Sequence, residues 1–424
     1  FDCDIRSVVF FQQGCQALAA LLVIMKGVPM SRKERRKEPA LTPKEQVELS
    51  QKNIPLRIVL VVLALVVAAV CFANALGEMG KVQPGWQEIL ATNPITAVPQ
   101  DFVLTYNLGA GSLSPKAEQQ KVSELYTRVL DETSQALSNQ AVSGVNNLYT
   151  LNRQPNADIQ VEPELYAAFR VLENAGSRMA YYAPVAEQYD ALFSCTYDEE
   201  AVQFDPQRDK AAGEFAARIA AFAKDSAAVQ VRLLPDNTLR LEVSQEYLDY
   251  ARESGVETFV DFGILRNALL CDAAADALVQ AGYVQGVLSS LDGYARSLNG
   301  EEFALNIFER QNGKIKNVGI VNYSGPAALV SFRAFPATES DMVNYYTYSD
   351  GTVICPYLNE NGISHASAGM LAGLSPSGTA ASLALRLLPV FTGEAGGEKA
   401  LDDLSWVMSR DGVLQIHGTG FVRK

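Results

Sequence analysis

Residues 259–300 read FVDFGILRNALLCDAAADALVQAGYVQGVLSSLDGYARSLNG, and this stretch decides the fold. Asp261 closes a short apolar run, as the end of a strand does. Residues 272–281 are rich in Ala and Leu, good helix formers, and stop at Gly282, a residue type that tolerates the left-handed conformation after a last helical turn. Gly286–Ser290 then reads as a strand running into the turn around Gly293. Asp272 stands at the expected helix start, where a carboxylate meets the positive end of the helix dipole. That placement makes it a structural cap. Asp292, beside Gly293, reads as a solvated loop carboxylate, with a ligand role as the alternative.

The order and spacing of this stretch resemble the central segment of the ApbE-type flavin transferases, which move FMN from FAD onto a protein hydroxyl. That family's pattern is D-L-G-G-I-A-K-G-Y-A-V-D, followed by a helix, a strand and N-L-G-G-D. Asp261, Gly263 and Asp272 keep its spacing. The family lysine falls on Asn267 and the glycine after it on Ala268, while N-L-G-G-D becomes Ser290-Leu291-Asp292-Gly293-Tyr294. The resemblance therefore implies Asp261, Gly263, Asp272 and Gly293 as vestiges of a cofactor site and leaves no catalytic residue in place.

Three further segments follow the same pattern of kept spacing and changed chemistry. The family's S-e-i-x-x-l-N corresponds to a run ending at Asn152, and its S-x-G-A-F-D-P-T-V to Ser177-Arg178-Met179-Ala180-Tyr181-Tyr182-Ala183-Pro184-Val185. Its H-I-L-D-P corresponds to Thr352-Val353-Ile354-Cys355-Pro356, without His or Asp. Its metal-binding A-D-A-L-S-T-A-L corresponds to Gly378-Thr379-Ala380-Ala381-Ser382-Leu383-Ala384-Leu385, so Thr379 occupies the position of the metal-binding aspartate. A transferase of this kind needs close backbone approach to a pyrophosphate, Mg²⁺ held by hard oxygen ligands, and an oriented acid or base. FAD and Mg²⁺ are expected only if the family activity is retained.

Around these segments the chain punctuates as α+β, with mixed sheets and flanking helices. A strand is expected over 101–107 and a helix over 114–139 with Pro115 as its first residue. A second helix is expected to open at Pro163, and an Ala-rich one to cover 211–223. Val229–Leu234 and Thr238–Val243 read as a hairpin around Pro235-Asp236-Asn237. Strands are further expected over 303–308, 315–321, 328–332, the 345–354 region, 406–408 and 413–416, with a last helix over 377–388.

Residues 58–77 hold no charged side chain and are long enough to span the roughly 30 Å hydrocarbon core. Residues 31–57 carry eight Lys/Arg against four Asp/Glu, residues 1–30 balance at zero, and so the remainder of a chain of net charge −13 carries −17. The basic flank places the N-terminus in the cytoplasm and residues 78–424 outside. The expected organisation is a basic cytoplasmic tail over 30–57, a transmembrane helix over 58–77, a Pro-punctuated linker over 78–100 and an ApbE-like extracytoplasmic domain over 101–424. Residues 1–29 are read as an over-extended gene start, because Met30-Ser31-Arg32-Lys33 looks like a natural one. A retained anchor is the expected fate of the helix. Cleavage after Ala73-Asn74-Ala75, or lipidation at Cys71, which bulky Val70 disfavours, are the alternatives.

Such an acidic outer part excludes nucleic acid, which would repel it. The six cysteines form no C-x-x-C, and Cys195, Cys271 and Cys355 read as small buried hydrophobes. His365 and His417 stand in no metal spacing and read as satisfied loop histidines. The expectation is a single-pass protein of a bacterial cell membrane whose outer domain has lost its transferase site. It binds the membrane through 58–77 and acts by binding a partner, such as an extracytoplasmic flavoprotein or redox complex. An active Mg²⁺-dependent flavin transferase with a rebuilt site and a small-ligand sensor are the alternatives.

Overall fold

The computed structural model describes residues 59, 61–70, 72, 82–298, 302–311, 313–338, 340–394, 396–410 and 412–423. The chain divides into two units, Phe1–Gly77 and Glu78–Lys424. In the first, residues 59, 61–70 and 72 are helical with exposed side chains. The remainder of the expected span, the basic tail and residues 1–29 lie outside the described residues. No helix among the described residues is long and apolar enough to cross a membrane.

The second unit is α+β, as the sequence pattern implies. Eight antiparallel strands lie side by side in chain order, each bonded to the next: Gly85–Ile89, Phe102–Leu108, Gly286–Ser290, Tyr294–Ser297, Ala327–Arg333, Met370–Ser375, Ser405–Arg410 and Val413–His417. A three-stranded sheet of Glu302–Gln311, Lys314–Ser324 and Phe421–Arg423 covers one face. Helices Pro115–Ala136, Arg266–Gln280 and Ala380–Phe391 cover the other. Side chains alternate between the layers, as a pleated strand requires. Val330, Phe332 and Leu371 point toward the helices, while Leu329, Ala372 and Leu374 point toward Ile307 and Val321. The Met370–Ser375 strand is thus buried throughout, and Gly373 leaves room there for Leu387, whose Cδ1 would lie 2.7 Å from an added Cβ.

A helical lobe built on the small sheet of Asp158–Gln160, Thr238–Val243 and Val229–Leu234 packs into the same core. Its helices are Pro163–Ala175, Ala183–Phe193, Lys210–Lys224 and Gln245–Ser254. The hairpin over 229–243 has the expected ends, and Ser114 caps the Pro115–Ala136 helix with Pro115 in its first turn, also as expected.

Four elements differ from the sequence reading. The apolar run before Asp261, expected as a strand, is irregular, because the N–H groups of Phe259 and Val260 bond the Asn152 side chain instead of a neighbouring strand. The stretch read as linker contains the Gly85–Ile89 strand, because Pro84 and Pro94 bracket those residues and leave their N–H groups free to pair with Phe102–Leu108. The helix expected over 272–281 begins at Arg266, following a 3-10 turn at Gly263–Leu265, so Asp272 lies in its interior. The Met370–Ser375 strand has no counterpart in the sequence reading. Gly282, with φ +84°, does end the 266–280 helix: its N–H donates to Val279 O at 3.0 Å and that of Tyr283 to Leu278 O at 2.9 Å.

Candidate functional site

A cleft opens where the helical lobe meets the ends of the large sheet. Its larger chamber encloses about 500 Å³ and the smaller about 330 Å³, and the two share Ala183, Ala186, Asp261, Gly263, Ile264, Pro356 and Leu358. The turn at 261–264 therefore forms the ridge between them.

Local hydrogen bonds hold that ridge. Buried Asn152 accepts from the N–H groups of Phe259 at 2.9 Å and Val260 at 3.0 Å, and donates to Val260 O at 2.9 Å. Its amide thereby fixes the chain entering Asp261. Asp261 accepts from Arg266 Nη2 at 3.0 Å, from the Gly263 N–H at 2.5 Å and from Asn139. Gly263 has φ +47°, a left-handed conformation that suits glycine. Asp261 and Gly263 both line the cleft.

Gly293 has a different reason to be glycine. An added Cβ would lie 2.4 Å from Ser331 O on the neighbouring strand, whose N–H donates to Gly293 O at 2.8 Å. The close approach is between two strands of the sheet.

Asp272 is drawn away from the cleft and into the packing of two helices. Its Oδ1 accepts from the Ala380 N–H at 2.7 Å and its Oδ2 from the Ala381 N–H at 2.8 Å. Arg296 Nη1 donates to Oδ1 at 2.6 Å. Asp272 does meet the positive end of a helix, but of the 380–391 helix rather than of its own. Burial pushes its carboxyl above the usual range, and Arg296 and the two backbone donors offset part of that cost. Thr379, which the sequence resemblance matched to a metal-binding aspartate, is the N-cap of the same helix. Its Oγ1 accepts from the Ser382 N–H at 3.1 Å while Ser382 Oγ accepts from the Thr379 N–H at 3.0 Å, a reciprocal capping box.

Asp292 is enclosed rather than solvated. Asn267 Nδ2 donates to its Oδ2 at 3.0 Å, whereas Oδ1 has no hydrogen-bond partner among the described residues. The adjacent Ser290 Oγ sits against Tyr294, accepting from its N–H at 3.1 Å. Burial pushes the Asp292 carboxyl up to about 6, against the pull of the Ser290 and Asn267 side chains. Tyr294 closes the chamber beside it by donating its hydroxyl to Ile264 O at 2.7 Å.

The opposite wall carries groups the sequence reading missed. Glu187 and Asp190 are one turn apart on the Ala183–Phe193 helix, and both line the larger chamber. Burial and the neighbouring Asp261 push both carboxyls up. Their i, i+3 spacing was the available signal, but it has meaning only once residues 183–193 are known to be helical. Arg333 and Asp341 form a buried pair at 3.0 Å on the same wall, with Asp341 also accepting from the N–H groups of Ala337 and Thr338. Arg266 Nε and Arg333 Nε are enclosed and have no hydrogen-bond partner among the described residues.

The remaining matched positions serve packing. The Tyr182 hydroxyl, in place of the family's aspartate, donates to Glu360 O at 2.8 Å, and burial pushes it up to about 12. Cys355 is buried, with its N–H donating to Ser364 Oγ at 3.0 Å, and burial raises its thiol, which makes it a poor nucleophile. Cys195 and Cys271 are also free thiols; Cys271 is buried as expected, whereas Cys195 is only half-buried, contrary to the sequence reading. His365 Nδ1 lies 2.9 Å from Thr392 O, and His417 stacks on Trp406.

No protein-family model matches the chain, and no curated protein matches it in sequence. Its fold is similar to that of the ApbE protein of Thermotoga maritima, with a TM-score of 0.54, 11% identity, and coverage of 79% of this chain and 97% of that one. A flavin transferase ApbE from Vibrio cholerae aligns with a TM-score of 0.49 and 14% identity over 74% of this chain and 92% of that one. The unit Glu78–Lys424 therefore has a divergent ApbE-like fold.

Proposed function

We propose that this chain is a membrane-anchored, outward-facing ApbE-like protein that does not transfer flavin and acts by binding a partner or a ligand other than flavin. The observation that carries this reading is the saturation of the groups at the matched metal and phosphate positions. A helix N-terminus is a natural phosphate site because its first N–H groups lack intrahelical partners. At the 380–391 helix, the N–H groups of Ala380 and Ala381 are taken by Asp272. Thr379 commits its hydroxyl to the capping box, so it offers Mg²⁺ no charge and a neutral oxygen already engaged with Ser382. The family lysine is replaced by Asn267, whose amide is bonded to Asp292.

These residues fit neither Mg²⁺ nor a pyrophosphate. In the larger chamber six carboxyl side chains face two guanidinium groups, and that excess adds like-charge repulsion against the phosphates of FAD. The membrane anchor and outward orientation rest on the uncharged stretch 58–77 and the basic block before it.

Titrating the purified chain with FAD, with and without Mg²⁺, while following flavin fluorescence tests the reading. The expected result is no saturation up to about 1 mM, the affinity range of only roughly −4 kcal/mol. Saturable, Mg²⁺-dependent binding would overturn it and support an active transferase with a rebuilt site.

A further inference from the structure

The eight-stranded sheet has two edges, and they are built differently. Gly85–Ile89, at one end, follows Pro84 and carries Glu88, and prolines and charges are common devices for keeping other strands off an edge. Val413–His417, at the other end, reads VLQIH, with no proline and no Asp, Glu, Lys or Arg. Its register with Ser405–Arg410 runs without a bulge. No strand among the described residues lies along its other side.

Open backbone and apolar surface coincide at this edge. Arg410 and Val413 are paired across a two-residue turn, so they close the hairpin with mutual N–H···O bonds. Alternation then turns the backbone groups of Val413, Gln415 and His417 toward the neighbouring strand and those of Leu414 and Ile416 outward. Leu414 and Phe421 pack against the core between the two sheets, and Ile416 lines the same narrow opening with its side chain 41% exposed. Val413 is 60% exposed. The core therefore runs out to the surface beside a strand whose outer backbone groups are open.

From this we infer that the chain forms a twofold dimer by pairing Val413–His417 antiparallel with the same strand of a second copy. One register overlaps the two strands over their whole length with the outward backbone groups in phase. It sets Gln415 opposite its own counterpart, Leu414 opposite the second copy's Ile416, and Val413 opposite the second copy's His417. The outward N–H and C=O groups of Leu414 and Ile416 then exchange hydrogen bonds in mutual pairs. A second copy is the occupant this edge specifies, because the strand is its own complement. No charged group meets its like, and the Leu–Ile pairs carry the apolar core across the joint. One short strand is small beside the roughly 1,200 Å² of a standard-size interface, so the dimer is weak, with a Kd of about 1–100 µM. The inference is independent of whether the cleft takes flavin.

Sedimentation equilibrium of the full chain in detergent tests it, from about 2 to 200 µM and in about 0.15 M salt to screen the net charge of −13. The parent is expected to pass from monomer to dimer across that range. Ile416→Lys puts an ammonium group into both Leu–Ile pairs and is expected to weaken the dimer at least about tenfold without lowering the melting temperature of the monomer. Gln415→Lys and Gln415→Glu each set like charges against one another at the twofold axis, where opposing side chains come closest. Each alone is expected to dimerise less than the parent, and their equimolar mixture to pair at least about threefold more tightly than either does with itself. If Ile416→Lys does not fold, the two Gln415 variants carry the test, since that side chain is exposed. A parent still monomeric at about 200 µM, a folded Ile416→Lys chain that dimerises as the parent does, or Gln415 variants that associate no better mixed than alone overturns the inference. A dimer held through residues 58–77 would be indifferent to all three substitutions and so counts against it.

Discussion

Asp272 and Asp292 lie on consecutive elements of one segment, and their surroundings could hardly differ more. At the junction of the 266–280 and 380–391 helices, both oxygens of Asp272 are bonded, by two backbone N–H groups and a guanidinium. At the floor of the cleft, Asp292 has one bond from a neutral amide and one oxygen unmatched. A buried carboxylate is tolerable when its lone pairs are met, and costly when they are not. The first carboxylate is consumed by the fold. The second is left over by it, with one oxygen sealed in the wall of the cleft.

The sharpest way to break this comparison is to remove the saturated member. Asp272→Ala leaves Arg296 without its buried partner and two helix N–H groups without acceptors. The expected loss is about 3–5 kcal/mol of unfolding free energy, read from urea denaturation. Because Arg296 also reaches Asp276 at 3.1 Å, the Asp272→Ala/Arg296→Ala double variant is expected to lose less than the sum of its single variants. A loss from Asp272→Ala below about 1 kcal/mol would show that the junction does not depend on this carboxylate.

For Asp292 the sign is the opposite one, and the size depends on pH. Its folded carboxyl holds its proton up to about 6, whereas an unfolded aspartate releases it near 4. The folded form therefore binds the proton more tightly. Its stabilising contribution is complete below about pH 4 and is lost as pH rises through about 6. Asp292→Asn keeps an acceptor for Asn267 and cannot ionise. The variant is expected to match the parent near pH 4 and exceed it by about 1–3 kcal/mol at pH 8. A constant difference across that range would remove Asp292 from the list of buried titrating groups.

What the sequence disclosed of this contrast follows from how local each signal is. The Thr238–Val243 strand alternates buried and half-buried positions, so its period is visible without knowing its neighbours. Met370–Ser375 is buried on both faces and shows no alternation, which hides a central strand as an unremarkable apolar run. The 266–280 helix was recognisable, but its start was misplaced because Asp272 resembles a cap when only its own helix is considered. Its true partners, Ala380 and Ala381, lie more than a hundred residues along the chain. The enclosure of Asp292 likewise depends on Asn267 and on the ring of Tyr294, contacts no local pattern encodes. The family-like spacing located the frame correctly, since spacing is what a fold constrains. The chemistry of the cleft depends on which side chains the frame leaves unsatisfied, and only the packed structure shows that.

Thr379 gives the smallest effect and the finest discrimination. It stands where the resemblance calls for a metal-binding aspartate, and in the fold it acts as a helix cap. If capping is its whole role, Thr379→Ala costs about 0.5–2 kcal/mol, and Thr379→Ser, which keeps the hydroxyl, costs much less. A metal role predicts another pattern: Mg²⁺ would raise the melting temperature of the parent, and Thr379→Asp would enlarge that shift by adding charge to a hard-oxygen site. The capping account expects no Mg²⁺-dependent shift in the parent or in the alanine variant. It also expects Thr379→Asp to gain little as a cap, because its new charge sits at the helix end that Asp272 already occupies. Differential scanning fluorimetry of the four proteins with and without Mg²⁺ decides between the two, and a magnesium-dependent rise in the parent would return Thr379 from the architecture to the site.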